Sequence, residues 1–589
     1  MSSSLRVALW VGGCLTLLGS GQRTEPRMFI RANQVGYLPH APKAAVLCAL
    51  DSLPRVTYNV VDSAGATILR RNASSLGSFA SCRSTFRLDF SPVIYAGTYR
   101  IRVRGAEPVA VRVGRDVYAG AVDSLLVYMR QQRSGWNPVF KDSVHRFDGV
   151  VVDHPTLGGK FIPVSGGWAD ASDYLQYVAT SANAVFVMLA AQRMFPHAFA
   201  DRYAANGTPG ANGTPDVLDE VDHGLAWLLR MYPGDSILFN QLGDDRDHAF
   251  LDLPPTDSSD YGWGKGKQRP IYPCTGRPQG LLNHKNRSTG VASTAGKFAS
   301  AFASAARTYA NDAQRVALYR TRAERAYTLG MRRPGVCQTA PAGAPYFYEE
   351  DNWVDDMEAA AAELAALTDS VRYIRDGLTF ADHEPAPPWM GADTASHYQW
   401  YPFVNLGHFG LMPLGQRRDR ERMARYYREG LAAVVRRANN AFRIGVPFIW
   451  CSNNLVVAFA TQAMLYRLAT GDGRFFDHEQ AAIDWLFGAN PWGVSMFIGL
   501  GSNFPRDPHS VVAKQLGLQL TGGLVDGPVY RSIFGNLRGV RLLDGDEYAP
   551  FNDGFIVYHD DMGDYSTNEP TMDGTASAML LLAALAPRR

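Results

Sequence analysis

The sequence holds little that a metal or redox centre of the common spacings would use. Six cysteines (Cys14, Cys48, Cys82, Cys274, Cys337 and Cys451) are scattered through 589 residues, with no CxxC pair among them. A zinc cage or dithiol motif is therefore without support, and the expected metal-ligand set is none. Net charge is nearly absent: 58 Lys and Arg against 56 Asp and Glu leave a formal +2. That balance gives no reason to expect a nucleic acid or a polyanionic surface as partner. Beyond the first twenty residues there is no long apolar run. Val7 to Leu18 is apolar or small, follows Arg6, and gives way to Gly19-Ser20-Gly21-Gln22. This is the three-part layout of a secretory signal, assigned to residues 1–25, and it is too short for a spanning helix. Export is expected, and the only membrane link left open is a lipid anchor at Cys14. No internal repeat of about 20–50 residues is visible.

What is present divides the chain in two. From residue 27 to 114 the pattern is β, with short strand-like runs at Ala44–Cys48, Val56–Val61, Thr98–Val103 and Val109–Val113, several of which alternate apolar and polar residues. Some seven strands in that length suggest an immunoglobulin-like sandwich. Cys48 and Cys82 fall within it, either as a bridge or as two small buried residues. From Asp116 onward apolar residues recur at three and four, as in Val217, Leu218, Val221, Leu225 and Leu228. Helices are expected at Ala119–Gln132, Tyr174–Met194, Pro215–Met231 (capped by Thr214), Val291–Tyr309, Ala313–Leu329 and Trp353–Leu367. Others are expected at Arg417–Arg437, Asn453–Ala469, His478–Leu486 and Thr571–Leu585. With weaker segments the count reaches about a dozen, almost without strands, which suits a helical toroid. Long loops at 236–288 and 499–552 are candidates for function.

Two groups of acids stand out. Asp170 and Asp173 lie in Gly166-Gly167-Trp168-Ala169-Asp170-Ala171-Ser172-Asp173-Tyr174, just ahead of an expected helix. They are either helix-start residues or two carboxylates aimed at one water. Glu569, in Asp564-Tyr565-Ser566-Thr567-Asn568-Glu569-Pro570, precedes the last expected helix. It is either a dipole-stabilised surface acid or a proton donor. Inverting glycoside hydrolysis needs this division: one carboxylate activates water, and a separate acid protonates the leaving oxygen across the ring. The 27 Tyr, 29 Phe and 11 Trp residues would also suit sugar stacking, although core packing explains most of them.

These residues resemble glycoside hydrolase family 9. The run from Gly166 to Tyr174 is similar to the family's GGWxDAGDxxKY signature, and Asp564–Glu569 matches its DYxxNE. Pro215-Asp216-Val217-Leu218-Asp219-Glu220 is similar to PDLLDE, and the Asp472-Gly473 to Asn490-Pro491 region also fits. Ile30-Arg31-Ala32-Asn33-Gln34-Val35-Gly36-Tyr37-Leu38-Pro39 looks like the immunoglobulin-like module found ahead of many such domains. The resemblance implies an (α/α)6 barrel over 116–589, inversion, and β-linked glucan as partner. It carries the base to Asp173, the water-holding neighbour to Asp170 and the general acid to Glu569. His509, Tyr565 and Trp353 are the substrate-binding candidates.

Three positions depart from the family pattern. Ser172 replaces the signature's glycine and adds a hydroxyl near the base. Pro508-His509-Ser510-Val511 keeps only the first histidine of PHHR. Ser288-Thr289-Gly290-Val291-Ala292-Ser293-Thr294-Ala295 lacks the carboxylates of a GSDVAAE-like calcium loop. Asp244, Asp245, Asp247 and His248 are either a different site or a solvated acidic loop. No cofactor is expected to be required, with structural calcium left open. The leading activity is an exported endo-β-1,4-glucanase. Its rivals are an exo-acting glucosidase or glucosaminidase and a non-catalytic carbohydrate-binding protein.

Overall fold

Alternating strands and two kinds of helix build the molecule. The computed structural model describes residues 27–234, 236–249, 252–344, 348–392, 397–552 and 554–588; the signal assignment to 1–25 and Cys14 lie outside them. Strands β1 (Met28–Arg31), β2 (Ala44–Ala49) and β5 (Ser84–Asp89) form one antiparallel sheet in the order β1-β2-β5. Strands β3 (Arg55–Val61), β4 (Thr67–Ser74), β6 (Gly97–Val103) and β7 (Val109–Val113) form the other, in the order β4-β3-β6-β7. In β6, Tyr99, Ile101 and Val103 point inward while Thr98, Arg100 and Arg102 face water. That period of two packs the sheets face to face. Cys48 and Cys82 are bridged, so the first of the two readings of that pair holds.

Twelve of the helices among the described residues frame the rest: α1 (Ala121–Gln131), α2 (Val178–Met194), α3 (Asp216–Met231), α4 (Ala292–Thr308), α5 (Ala313–Arg332), α6 (Val354–Thr368), α7 (Val371–His383), α8 (Leu406–Leu411), α9 (Arg417–Arg437), α10 (Ser452–Thr470), α11 (Phe476–Leu486) and α12 (Met572–Leu585). The even-numbered helices touch in a closed ring, α2 to α4, α6, α8, α10, α12 and back to α2. Their sequences explain why they lie inside. Nearly all of α4, rich in Ala and Ser, is buried, and so are most of α10 and α12. A helix apolar or small on every side must be surrounded by protein. The odd-numbered α3, α7 and α9 show one buried stripe and one wet face, as an outer ring requires. Sequence periodicity finds the amphipathic outer helices α3 and α9, whereas α7 is absent from the expected helices. The six residues of α8 are too few to show a period.

The strands missing from the sequence reading are short and lie in the loops. Val150–Val151, Pro270–Pro273, Phe239–Leu242 and Gln176–Tyr177 form a small four-stranded sheet. A second disulfide, Cys274–Cys337, ties this region to the segment after α5. The long 236–288 loop is thus a structured platform.

The Asn33–Tyr37 run joins the two domains. Asn33 Nδ2 donates to Tyr118 Oη (2.9 Å) and to Asp484 Oδ1 (3.0 Å), and the Gln34 N–H donates to the Phe487 carbonyl (2.9 Å). Gly36 has φ +124°, and a Cβ there would lie 2.7 Å from the Arg112 carbonyl oxygen; only glycine fits. Burial pushes Asp484 up to about 7, against the hydrogen bonds from Asn33 and Gln480 and the more distant charges of Arg87 and Lys43. A raised carboxyl contributes its stability fully below the unfolded-state value and loses it as pH rises through the folded one. We therefore predict that the unfolding temperature falls between pH 5 and 8. Asp484→Asn should flatten that fall and be the more stable form at pH 8, by on the order of 2–4 kcal/mol. Thermal unfolding of both forms across the range is the check; parallel curves would show that Asp484 takes up no extra proton on folding.

Candidate active site

Both acid-bearing segments enter an inner helix in the same way. After Asp173, Gln176–Tyr177 pairs antiparallel with Gln241–Leu242, and α2 starts only at Val178. After Glu569, Pro570–Thr571 pairs with Leu524–Val525, and α12 starts at Met572. Neither helix has a side-chain cap. The expected start near Tyr174 is thereby corrected: the segment is held extended by its strand pairing, so Asp170 and Asp173 are not N-caps. Glu569 likewise stands one strand before its helix, not at its first turn. Thr214 does not cap α3 either, which has Pro215 at that position and no side-chain cap.

Buried groups fix the loop that carries the two aspartates. Glu220 accepts from Arg133 (Nη2, 2.7 Å) and from Trp168 Nε1 (2.7 Å). The Trp168 ring lies over Gly224, where a Cβ would meet a ring carbon at 2.2 Å. Glu220 and Gly224 sit one turn apart on α3 and so address the same neighbour. That accounts for the acid ending Pro215–Glu220: it anchors Trp168, two residues before Asp170.

The two aspartates differ in freedom. Asp170 is 7% exposed, and both of its oxygens are engaged, Oδ1 by Thr180 Oγ1 (2.6 Å) and Oδ2 by Tyr348 Oη (2.9 Å). Burial first, then the like charge of Asp573, pushes it up to about 7. The Asp173 side chain is 19% exposed. Its Oδ1 accepts a long bond from the Leu175 N–H (3.2 Å), and its Oδ2 is 3.7 Å from His248 Nε2. Burial raises Asp173 well above the ordinary carboxylate range; His248 opposes this, and Asp247, Glu569 and Asp170 add to it. Despite its own burial, His248 is raised to about 9 by its hydrogen bond to Asp247 and the charge of Asp173. Asp173 is the more accessible acid, with a cation beside it.

Glu569 faces this loop directly. Its Oε1 accepts from the Ser172 main-chain N–H (3.0 Å) and also from the Ser172 hydroxyl. The serine expected to bring a hydroxyl near the base therefore directs it to the acid. Beside Glu569 stands an aromatic row: Trp450 lies 5.3 Å from Tyr565, and His509 lies 6.1 Å from Tyr565. His509 is held by a hydrogen bond to the Met562 carbonyl (2.5 Å) and Tyr565 by one to Arg538 (2.6 Å). Ser510 caps the short Val511–Leu516 helix. Trp353 joins neither group: half-buried at the start of α6, it has Phe380 of the outer helix α7 as its ring partner among the described residues (5.9 Å).

Trp450, Tyr348 and Asp526 escaped the sequence reading, and His248 entered it only within the Asp244–His248 group, read as a different site or a solvated acidic loop. The residues leading into the inner helices converge on one mouth. Tyr348, ahead of α6, bonds Asp170 and lies 5.1 Å from Tyr398; Tyr398, ahead of α8, pairs with Cys451 Sγ at 2.8 Å. Cys451, ahead of α10, reaches Asp526 Oδ1 at 3.1 Å, and the Asp526 N–H donates to the Glu569 carbonyl. An aromatic or acid shortly before an inner helix was thus the signal available.

At the Ser288–Ala295 loop, where calcium was left open, the donors do not fit that ion. Ser288, Thr289 and Ser293 use their hydroxyls to accept the N–H groups of Gln338, Val336 and Cys337. Nearby, the Lys297 ammonium lies 2.7 Å from Asp356 and 2.9 Å from Glu350. A hard cation needs free oxygens there. The acids of the second cluster are also engaged: Asp244 by Arg246, Asp245 by the Gly343 and Ala344 N–H groups, and Asp247 by His248. No group of three or more His, Cys, Asp or Glu suited to a metal ion occurs among the described residues.

The chain matches the family model of glycosyl hydrolase family 9 over residues 118–582 and that of the cellulase N-terminal ig-like domain over 25–108. It is 27% identical to endoglucanase C of Cellulomonas fimi over 597 aligned residues, spanning 93% of this chain but 51% of that protein, about half its length. It is 24% identical to the xyloglucan-specific endo-beta-1,4-glucanase of Bacteroides ovatus, covering 95% of this chain and 94% of that one. Among solved structures, a metagenome-derived glycoside hydrolase family 9 endoglucanase superposes with a TM-score of 0.74 at 26% identity, over 95% of this chain and 99% of the other.

Proposed function

The chain belongs to glycosyl hydrolase family 9, and from that premise we propose that it is an inverting endo-β-1,4-glucanase acting on β-glucan outside the cytoplasm. The observation that carries the reading is the pairing of a two-aspartate loop with Glu569 at one mouth of the barrel. Asp173, the freer carboxylate, takes a proton from water as the water oxygen attacks the anomeric carbon. Asp170, held by Thr180 and Tyr348, orients that water. The glycosidic C–O bond breaks on the opposite face, and the proton of Glu569 goes to the leaving oxygen. No step in this scheme passes through a metal. Trp450, Tyr565 and His509 offer the wall for a sugar ring. Endo action is supported by the two relatives described above, both of which are endoglucanases by name. Two disulfides support an oxidising compartment.

Two measurements on soluble β-1,4-glucan test this reading. The first product seen by NMR should carry the α configuration, and viscosity should fall early relative to the release of reducing ends. A first product of β configuration would remove the water-activating role of the aspartates. Slow viscosity loss with steady release of small sugars would replace endo with exo action.

A further inference from the structure

One contact at the site has no counterpart in the family pattern. Ser172 stands where the signature has glycine, and both of its donors end on the same atom: its N–H (3.0 Å) and its hydroxyl reach Glu569 Oε1. A carboxyl oxygen offers two lone pairs. With both taken, Oε1 can only accept, and the acid proton must reside on Oε2. We propose that Ser172 is a positioning residue that sets which oxygen of Glu569 delivers the proton, and that holds the resulting carboxylate once the proton has left. This rests on the reading of Glu569 as general acid.

The geometry supports more than a loop contact. Ser172 lies between the two aspartates in sequence, so the chain that positions the water is also bonded to the acid. When Glu569 gives up its proton to the leaving oxygen, negative charge develops on its carboxylate. A hydroxyl and an N–H already aimed at Oε1 stabilise that charge without rearrangement. Glycine at this position would supply the N–H alone. Ser172 is not in a left-handed backbone conformation, so alanine can replace it without backbone strain.

The test compares Ser172→Ala with wild type on two substrates: cellotetraose, whose leaving group needs a proton, and 2,4-dinitrophenyl β-cellobioside, whose leaving group does not. Ser172→Ala should lower turnover of cellotetraose by about tenfold to a hundredfold, the value of a hydrogen bond to a charged group, and change the aryl substrate little. Ser172→Thr, which restores a hydroxyl, should recover most of the loss. Equal losses on both substrates, or no loss on either, would overturn the proposal, since a merely structural serine has no reason to distinguish leaving groups. Glu569→Gln run alongside separates the two failures. If it spares the aryl substrate while Ser172→Ala does not discriminate, only the role of Ser172 falls. If Glu569→Gln itself harms both alike, the acid assignment falls and the positioning role falls with it.

Discussion

Asp173→Ala is expected to retain about one part in 10² to 10⁴ of wild-type turnover on soluble β-1,4-glucan, the range that follows loss of a general base. KM should change far less, because the aromatic row that would hold the sugar stands on other loops. The expectation rests on the contrast between the two aspartates. Asp170 has both oxygens engaged by hydroxyl donors, whereas Asp173 keeps room for a water at its exposed edge. Asp170→Ala should also be harmful, by a smaller factor, since a water held by one carboxylate is less well aimed. Asp173 must be charged to accept a proton, and burial holds it well above the ordinary carboxylate range. Activity should therefore disappear on acidification at a higher pH than a solvent-exposed aspartate would give. Steady-state kinetics from pH 4 to 8 would settle the point. Near-normal turnover in Asp173→Ala would move the base to Asp170.

The legible and illegible parts of this chain separate by physical cause. The sandwich was readable because strands such as β6 keep one wet face and alternate residue by residue, although β2 is buried on both faces. The outer helices α3 and α9 were readable for the same reason at a different period, while α7 went unread. Inner helices such as α4 are buried nearly all round. The boundary after Asp173 was misplaced because the signal that ends an extended segment was not local. Gln176–Tyr177 is extended only because Phe239–Leu242, more than sixty residues away, pairs with it. Long-range pairing of this kind leaves no periodicity in two residues.

The site shows the same division. Asp170, Asp173 and Glu569, the acids of the proposed mechanism, stood out because each sits in a run dense with glycine, aromatics or proline. Tyr348 and Trp450 could not, since each is one aromatic among many until the ring of inner helices brings their leading segments together. Trp353 is the converse case. It was a reasonable aromatic candidate by position, but the fold turns it to Phe380 on the outer ring. The Cys274–Cys337 bridge was also hidden, because nothing in two isolated cysteines 63 residues apart names a partner.

Glu569→Gln is the other variant from which a large loss is expected, and its value lies in how the loss depends on substrate. The substitution keeps the shape of the side chain and its capacity to accept from Ser172, but it removes the proton. Cleaving a β-1,4 bond between two glucoses expels a poor leaving group, which needs that proton as the C–O bond breaks. Turnover of cello-oligosaccharides should therefore fall by about 10²- to 10⁴-fold. A dinitrophenyl glycoside leaves as a stable phenolate and should lose little. The rest of the machinery is untouched: Asp173 still activates water, and Trp450, Tyr565 and His509 still form their row. A general disturbance of the mouth would lower both rates together, so the ratio of the two losses reports the proton itself. If the ratio stays near one, the proton must come from elsewhere. Asp526 would then be the first group to examine. It is fully buried and raised well above its ordinary value by burial and by Glu569. Its main-chain N–H also bonds the Glu569 carbonyl.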